Sequence, residues 1–144
     1  MQVFRQIDPE FTALVGFGVR VMLLAPDEST GHVADRIAGF GGMIETETEL
    51  FGAIESLIGD ATGFGLFVME CDSYGGIEAG RRAIALLNKG QAHLPAILIS
   101  RDCKEQIFPE DGNAPILLRA PLSAVSLRVG FEHALRDRLV WRAA

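Results

Sequence analysis

Four short stretches of this chain carry the side chains that could do chemistry. Glu70-Cys71-Asp72 closes one apolar run with two carboxylates and a thiol, and Ala25-Pro26-Asp27-Glu28 follows another. Ser100-Arg101 and Leu118-Arg119-Ala120-Pro121 place a hydroxyl and two guanidinium groups after two further runs. Carboxylates beside a hydroxyl and cations are the parts of a site for a hard metal ion or a phosphoryl group. Other chemistries lack their parts. Cys71 and Cys103 have no metal-ligand spacing, and His32, His93 and His133 lie on different segments without companion ligands, so no metal centre is expected. Gly16-Phe17-Gly18 precedes an apolar run instead of following one, which removes a dinucleotide fingerprint, and neither a phosphate loop nor a G-x-S-x-G elbow occurs. An independent enzyme is not expected. A redox pair would need exposed, low-pKa thiolates, with Arg101 or Lys104 supplying the positive field, whereas cysteine more often serves as a small inert hydrophobe.

The elements that must hold these groups alternate between strand and helix. Val19–Leu24 is a near-continuous apolar run, the pattern of a strand buried on both faces. Val33, Ile37 and Phe40 mark one face of a helix ended by Gly41-Gly42. Met43–Thr46 is a short second strand, and Thr46 with Glu49 suggests a capping box before the stripe Leu50, Ile54, Leu57 and Ile58. Gly65–Met69 is a third strand, and Ile77, Gly80, Ala83, Ile84 and Leu87 line a third helix. Pro95 opens a fourth strand, Ala96–Ser100; Pro115 opens a fifth, Ile116–Arg119; Ser123 caps a last helix running toward Trp141. Between the last two strands, 104–113 is a poor helix because Pro109 interrupts it. Asp8, Pro9 and Glu10 start a short helix at Pro9–Val15, ahead of the first strand.

The 144 residues suit one domain, with 49% hydrophobic and 22% charged residues. A net charge of −6 argues against nucleic acid and anionic membrane as partners, since both need a basic face. No apolar run approaches the roughly 20 residues of a membrane span. The amino terminus lacks the build of a signal peptide, so a cytoplasmic location is expected. Strands alternating with helices at this spacing imply a parallel sheet covered on both faces.

On the landmarks Met69-Glu70, Ile99-Ser100 and Leu118-Arg119-Ala120-Pro121, and on their spacing, about residues 19–138 resemble the receiver domain of two-component response regulators. The resemblance implies a flavodoxin-like, doubly wound five-stranded parallel sheet of order 2-1-3-4-5, spanning 19–142 after an extension at 1–18. It also implies a phospho-accepting aspartate, a metal-binding acidic pair and a switch set, and this sequence departs from each. Ala25 and Pro26 stand at the acidic pair, with Asp27 and Glu28 displaced downstream. Glu70 stands at the acceptor, one methylene too long. Ala120, beside Arg119 and before Pro121, replaces the lysine, and Leu117 replaces the coupling aromatic; Ser100 keeps the hydroxyl. Because phosphoryl transfer depends on positioning, the expectation is a pseudo-receiver that works by protein contact, without cofactor or aspartate phosphorylation. Glu70 would then be a built-in negative charge that mimics the phosphorylated state, paired with Arg101 or Arg119 to hold one conformation. The alternative is a register two residues later, with Asp72 as acceptor and Asp27 and Glu28 holding Mg²⁺. A third possibility is an anion held by Ser100, Arg101 and Arg119.

Two stretches point to partners. The resemblance implies a homodimer or docking surface formed with the last helix, for which Leu127, Phe131 and Leu135 are the candidate interface residues. Phe4, Ile7, Phe11 and Leu14, extra to the fold, either cover a side of the sheet or form an interaction site.

Overall fold

Five apolar runs become the five strands of one parallel sheet. The computed structural model describes residues 18–27, 30–60 and 63–136. In chain order the elements are β1 (Arg20–Leu24), α1 (Thr30–Gly39), β2 (Met43–Glu47), α2 (Leu50–Gly59), β3 (Leu66–Glu70), a 3-10 turn (Cys71–Tyr74), α3 (Ile77–Lys89), β4 (Ala96–Ser100), β5 (Ile116–Arg119) and α4 (Ala124–Ala134). The strand order is β2-β1-β3-β4-β5, the flavodoxin-like arrangement that the resemblance implies. Among the described residues no helix is long and apolar enough to cross a membrane.

Strand periodicity divides the core into two layers. Met22, Leu24, Phe67, Met69 and Leu98 face α2 and α3, meeting Ala53, Leu57, Ala83 and Leu87. Val21, Leu23, Leu66, Val68, Ile97, Ile99, Ile116 and Leu118 face α1 and α4, meeting Val33, Ile37, Leu127 and Phe131. The central strands are therefore buried on both sides, which is why they read as unbroken apolar runs. Gly80 lets α3 sit close on the sheet: a Cβ there would lie 2.7 Å from Cys71 Sγ and 3.0 Å from Leu98 Cδ1.

Two expectations are corrected. Thr46 is no cap, because β2 runs on to Glu47; Glu49 is the N-cap of α2, its carboxylate accepting the Gly52 N–H at 3.1 Å. Leu127, Phe131 and Leu135 are not an interface: their relative exposures are 0%, 1% and 1%, because the one apolar stripe of α4 is needed to close the core. The outward side of α4 presents Val125 and Val129 instead. Cys71 and Cys103 are both free and buried, in keeping with their reading as small inert hydrophobes. Burial pushes the Cys71 thiol up to about 12, and the Cys103 thiol is also raised, first by burial and then by Asp102. The expected Pro9–Val15 helix, Phe4, Ile7, Phe11, Leu14, Glu28 and the stretch toward Trp141 lie outside the described residues.

The segment 101–115 contains no helix. Pro109 forbids a long one, and tertiary bonds replace it. Ile107 and Leu117 exchange backbone hydrogen bonds of 2.9 and 3.0 Å as an antiparallel bridge on β5. His133 Nε2–H donates to the Pro109 carbonyl (2.6 Å), and Arg136 donates to the Glu110 carbonyl (2.6 Å).

If α4 packs through its apolar stripe, Phe131→Ala should lower the unfolding free energy by about 3–5 kcal/mol. Val125→Ser, at a position 73% exposed, should change it by less than about 0.5 kcal/mol. Urea melts of both variants check the pair, and equal, small effects would remove Phe131 from the core.

Candidate functional site at the carboxyl ends of the strands

In an open parallel sheet the crevice that holds ligands lies beyond the carboxyl ends of the strands. The register sets what meets there: Leu24 pairs with Met69, Glu70 with Ile99, and Ser100 with Arg119. The chain leaves β3 at Glu70, makes the 3-10 turn, and enters α3 through Gly75 and Gly76, whose φ angles are +115° and +89°. That turn brings Asp72 over the end of β4.

A chain of short hydrogen bonds joins the two loops. Ser100 Oγ–H donates to Asp72 Oδ1 at 2.6 Å, and the Arg101 N–H donates to Asp72 Oδ2 at 3.0 Å. The Arg101 Nε stands 3.5 Å from the same oxygen, on a side chain that is largely exposed. Ser100 Oγ in turn accepts the Asp102 N–H at 3.0 Å, and Asp102 Oδ2 accepts the Ile77 N–H at 3.2 Å. Asp102 thereby caps α3 from another loop, where it also meets the positive end of the helix dipole. The local N-cap, Gly76, has no side chain to do so, and a Cβ at Gly76 would lie 2.5 Å from Asp102 Oδ2. On the other flank the Tyr74 hydroxyl donates to the Thr48 carbonyl at 2.7 Å, tying the turn to the loop after β2.

Electrostatics follow the geometry. Partial burial works against charge on Asp72, but the Ser100 hydroxyl, the Arg101 amide and the Arg101 guanidinium outweigh it and hold the carboxyl below the usual range. Both functions of the Ser100 hydroxyl are used: it donates once and accepts once.

The other candidate residues lie at the ends of the neighbouring strands. Ala25 is buried and its N–H donates to the Glu47 carbonyl at 3.0 Å; Pro26 is half-buried and Asp27 exposed. Glu70 is half-buried at the end of β3. Arg101 pairs with Asp72, and Arg119 donates to the Lys104 carbonyl at 2.9 Å. Leu117 is buried, while Ala120 donates its N–H to the Ser100 carbonyl at 3.2 Å ahead of a cis bond to Pro121. Mg²⁺ takes near-octahedral oxygen ligands. Ala25 and Pro26 supply no carboxylate, and no group of three or more His, Cys, Asp or Glu converges among the described residues. Two cavities of about 210 and 230 Å³ open at the opposite end of the sheet, around Pro95, Ala96, Gly112 and Ala114.

Sequence reasoning named Asp72 and Ser100 but missed Asp102, Gly76 and Tyr74. A helix entered through Gly75-Gly76 lacks a local cap, and that was the available signal for a capping group from elsewhere.

The latch makes two measurable demands. Ser100→Ala strips partners from the Asp102 N–H and Asp72 Oδ1, and should cost about 1–3 kcal/mol of stability in urea unfolding. The lowered Asp72 value sets the sign of a pH effect. Its stabilisation is complete above the ordinary value of 3.8 and is lost as pH falls through the lower folded-state value. The stability difference between the wild type and Asp72→Asn should therefore shrink over the range below pH 3.8. A difference constant over that range would contradict the latch.

No protein-family model matches the chain, and no curated protein matches it. Among solved structures, it is similar to the crystal structure of a response regulator receiver domain protein from Bacillus halodurans C-125. The TM-score is 0.58 at 14% identity, over 81% of this chain and 96% of that one. At that identity the likeness is one of fold: the chain has the fold of a response-regulator receiver domain.

Proposed function

We propose that this chain is a receiver-like signalling module held in one state, which acts by contact with a protein partner, as an adaptor or as half of a homodimer, without Mg²⁺ or aspartate phosphorylation. One observation carries this reading: the Ser100 hydroxyl, which the resemblance places in the switch set, is wholly buried, gives its one proton to Asp72 and accepts the Asp102 N–H. To donate to a phosphoryl group it would have to withdraw its single proton from Asp72 Oδ1, breaking the bond that draws the turn after β3 onto β4. The end of β1 supports the same reading, because Ala25 and Pro26 offer no metal ligand where the resemblance implies carboxylates. Glu70 keeps a permanent carboxylate at the end of β3.

A second reading, phosphoryl transfer to Asp72 with Mg²⁺ held by Asp27 and Glu28, is favoured by a single geometric fact: Asp72 is the aspartate beside the hydroxyl of β4. Its weakness is that both Asp72 oxygens already accept hydrogen bonds.

Backbone amide NMR distinguishes the two. Titration with Mg²⁺, then with Mg²⁺ plus beryllofluoride, should leave the amides of Asp27, Glu70, Asp72, Ser100 and Arg101 unshifted. Incubation with acetyl phosphate and Mg²⁺ should leave the intact mass unchanged. A phosphoryl adduct lost in Asp72→Asn would establish the second reading instead.

A further inference from the structure

The two edges of the sheet are finished differently. The β5 edge is sealed by the Ile107–Leu117 bridge, and Pro115, at the entry to the strand, has no N–H to offer. Among the described residues the β2 edge is open. Its ladder to β1 uses the Met43 N–H, donated to the Val19 carbonyl at 2.7 Å, and the Glu47 carbonyl, which accepts the Ala25 N–H at 3.0 Å. Alternate residues of a parallel strand bond to opposite neighbours. Ile44 and Thr46 therefore direct their N–H and C=O groups away from the sheet, and among the described residues nothing bonds them.

The surroundings of this edge are acidic and partly apolar. A Cβ built on Gly52 would lie 3.2 Å from both Glu47 Oε1 and Glu49 Oε1, so two carboxylates converge where β2 runs into α2. Glu45 is already paired with Arg20 at 2.6 Å, whereas Glu47 has no cationic partner among the described residues. Met43 at one end of the strand and Phe51 just past the other are 56% and 62% exposed.

We propose that the β2 edge is a docking site for an extended, basic protein segment. The segment adds as a sixth strand, bonding to Ile44 and Thr46 and presenting lysine or arginine to Glu47 and Glu49. This is strand addition, in which main-chain bonds give affinity and alternate side chains give specificity. A second copy of this chain fits poorly, because edge-to-edge pairing would set Glu45 and Glu47 against other carboxylates, and like charges directly opposite destabilise a strand pair. The same charges that turn away acidic or identical strands admit a basic one. The inference rests on the reading that the module works by protein contact, and it names where and with what chemistry.

Blocked octapeptides of alternating lysine and valine, and of alternating glutamate and valine, test it on the full chain at low salt. The lysine peptide should shift the Ile44 and Thr46 amides saturably and slow their exchange; the glutamate peptide should not. Thr46→Pro removes an outward N–H and leaves the inward ladder intact, since proline is tolerated where an edge N–H faces solvent. It should weaken the lysine peptide by at least about tenfold. Glu47→Lys, which keeps every backbone group, should reverse the preference between the peptides. Equal response to both peptides, shifts confined to other amides, or self-association abolished by Thr46→Pro would overturn the proposal. Beryllofluoride shifts at Asp72 and Ser100 in the same sample would overturn the fixed-state reading alone, because they report on different amides.

Discussion

The hydroxyl of Ser100 is the constraint on which the upper rim of the sheet depends. It is the one wholly buried polar side chain among the described residues, set at the end of a strand whose every residue is buried. A buried hydroxyl must be hydrogen-bonded or cost free energy. Here it is satisfied twice, and each bond fixes a different loop: Asp72 draws in the turn after β3, and the Asp102 amide orders the turn after β4. Asp102, held in place, then caps α3, so the start of a 13-residue helix depends on a residue that follows it by 25 positions. Gly76 is the geometric condition for this contact, since any side chain there would occupy the space of the Asp102 carboxylate.

The loss of the helix between β4 and β5 follows a similar logic. Lacking a helix's internal ladder, segment 101–115 must satisfy its backbone elsewhere. It does so on β5 through Ile107, on α4 through His133 and Arg136, and on Arg119 through the Lys104 carbonyl. Arg119, which the resemblance made a switch candidate, is therefore a strut for that segment. The surface that the resemblance assigns to dimers is rebuilt, with Val125 and Val129 exposed in place of the expected stripe.

Much of the fold was legible because the core strands are buried on both faces and their apolar runs are bounded by proline or glycine. β4 and β5 begin directly after Pro95 and Pro115. The ends of β2 were harder, since an edge strand alternates and Thr46-Glu47 fits a strand or a cap equally well. The stripe Leu127, Phe131 and Leu135 was visible, but a stripe does not say whether a sheet or a partner covers it; only the packing of Ile116 and Leu118 against it decides. Asp72 and Ser100 were each singled out, yet their contact depends on the β3–β4 register and on two glycines with positive φ, which no local pattern encodes.

An edge strand shows why charge placement matters more than net charge for partner choice. The chain's −6 would only weaken encounters with acidic partners in general, and salt would screen it within about 10 Å. Glu47 and Glu49 act at contact distance, beside backbone groups that any extended strand could bond. Main-chain bonding is blind to sequence, so selectivity at such an edge has to come from the side chains that flank it. Two convergent carboxylates, without a second arginine beside them among the described residues, make such an edge selective for basic strands, and the sealed β5 edge leaves β2 as the side of the sheet proposed for strand addition.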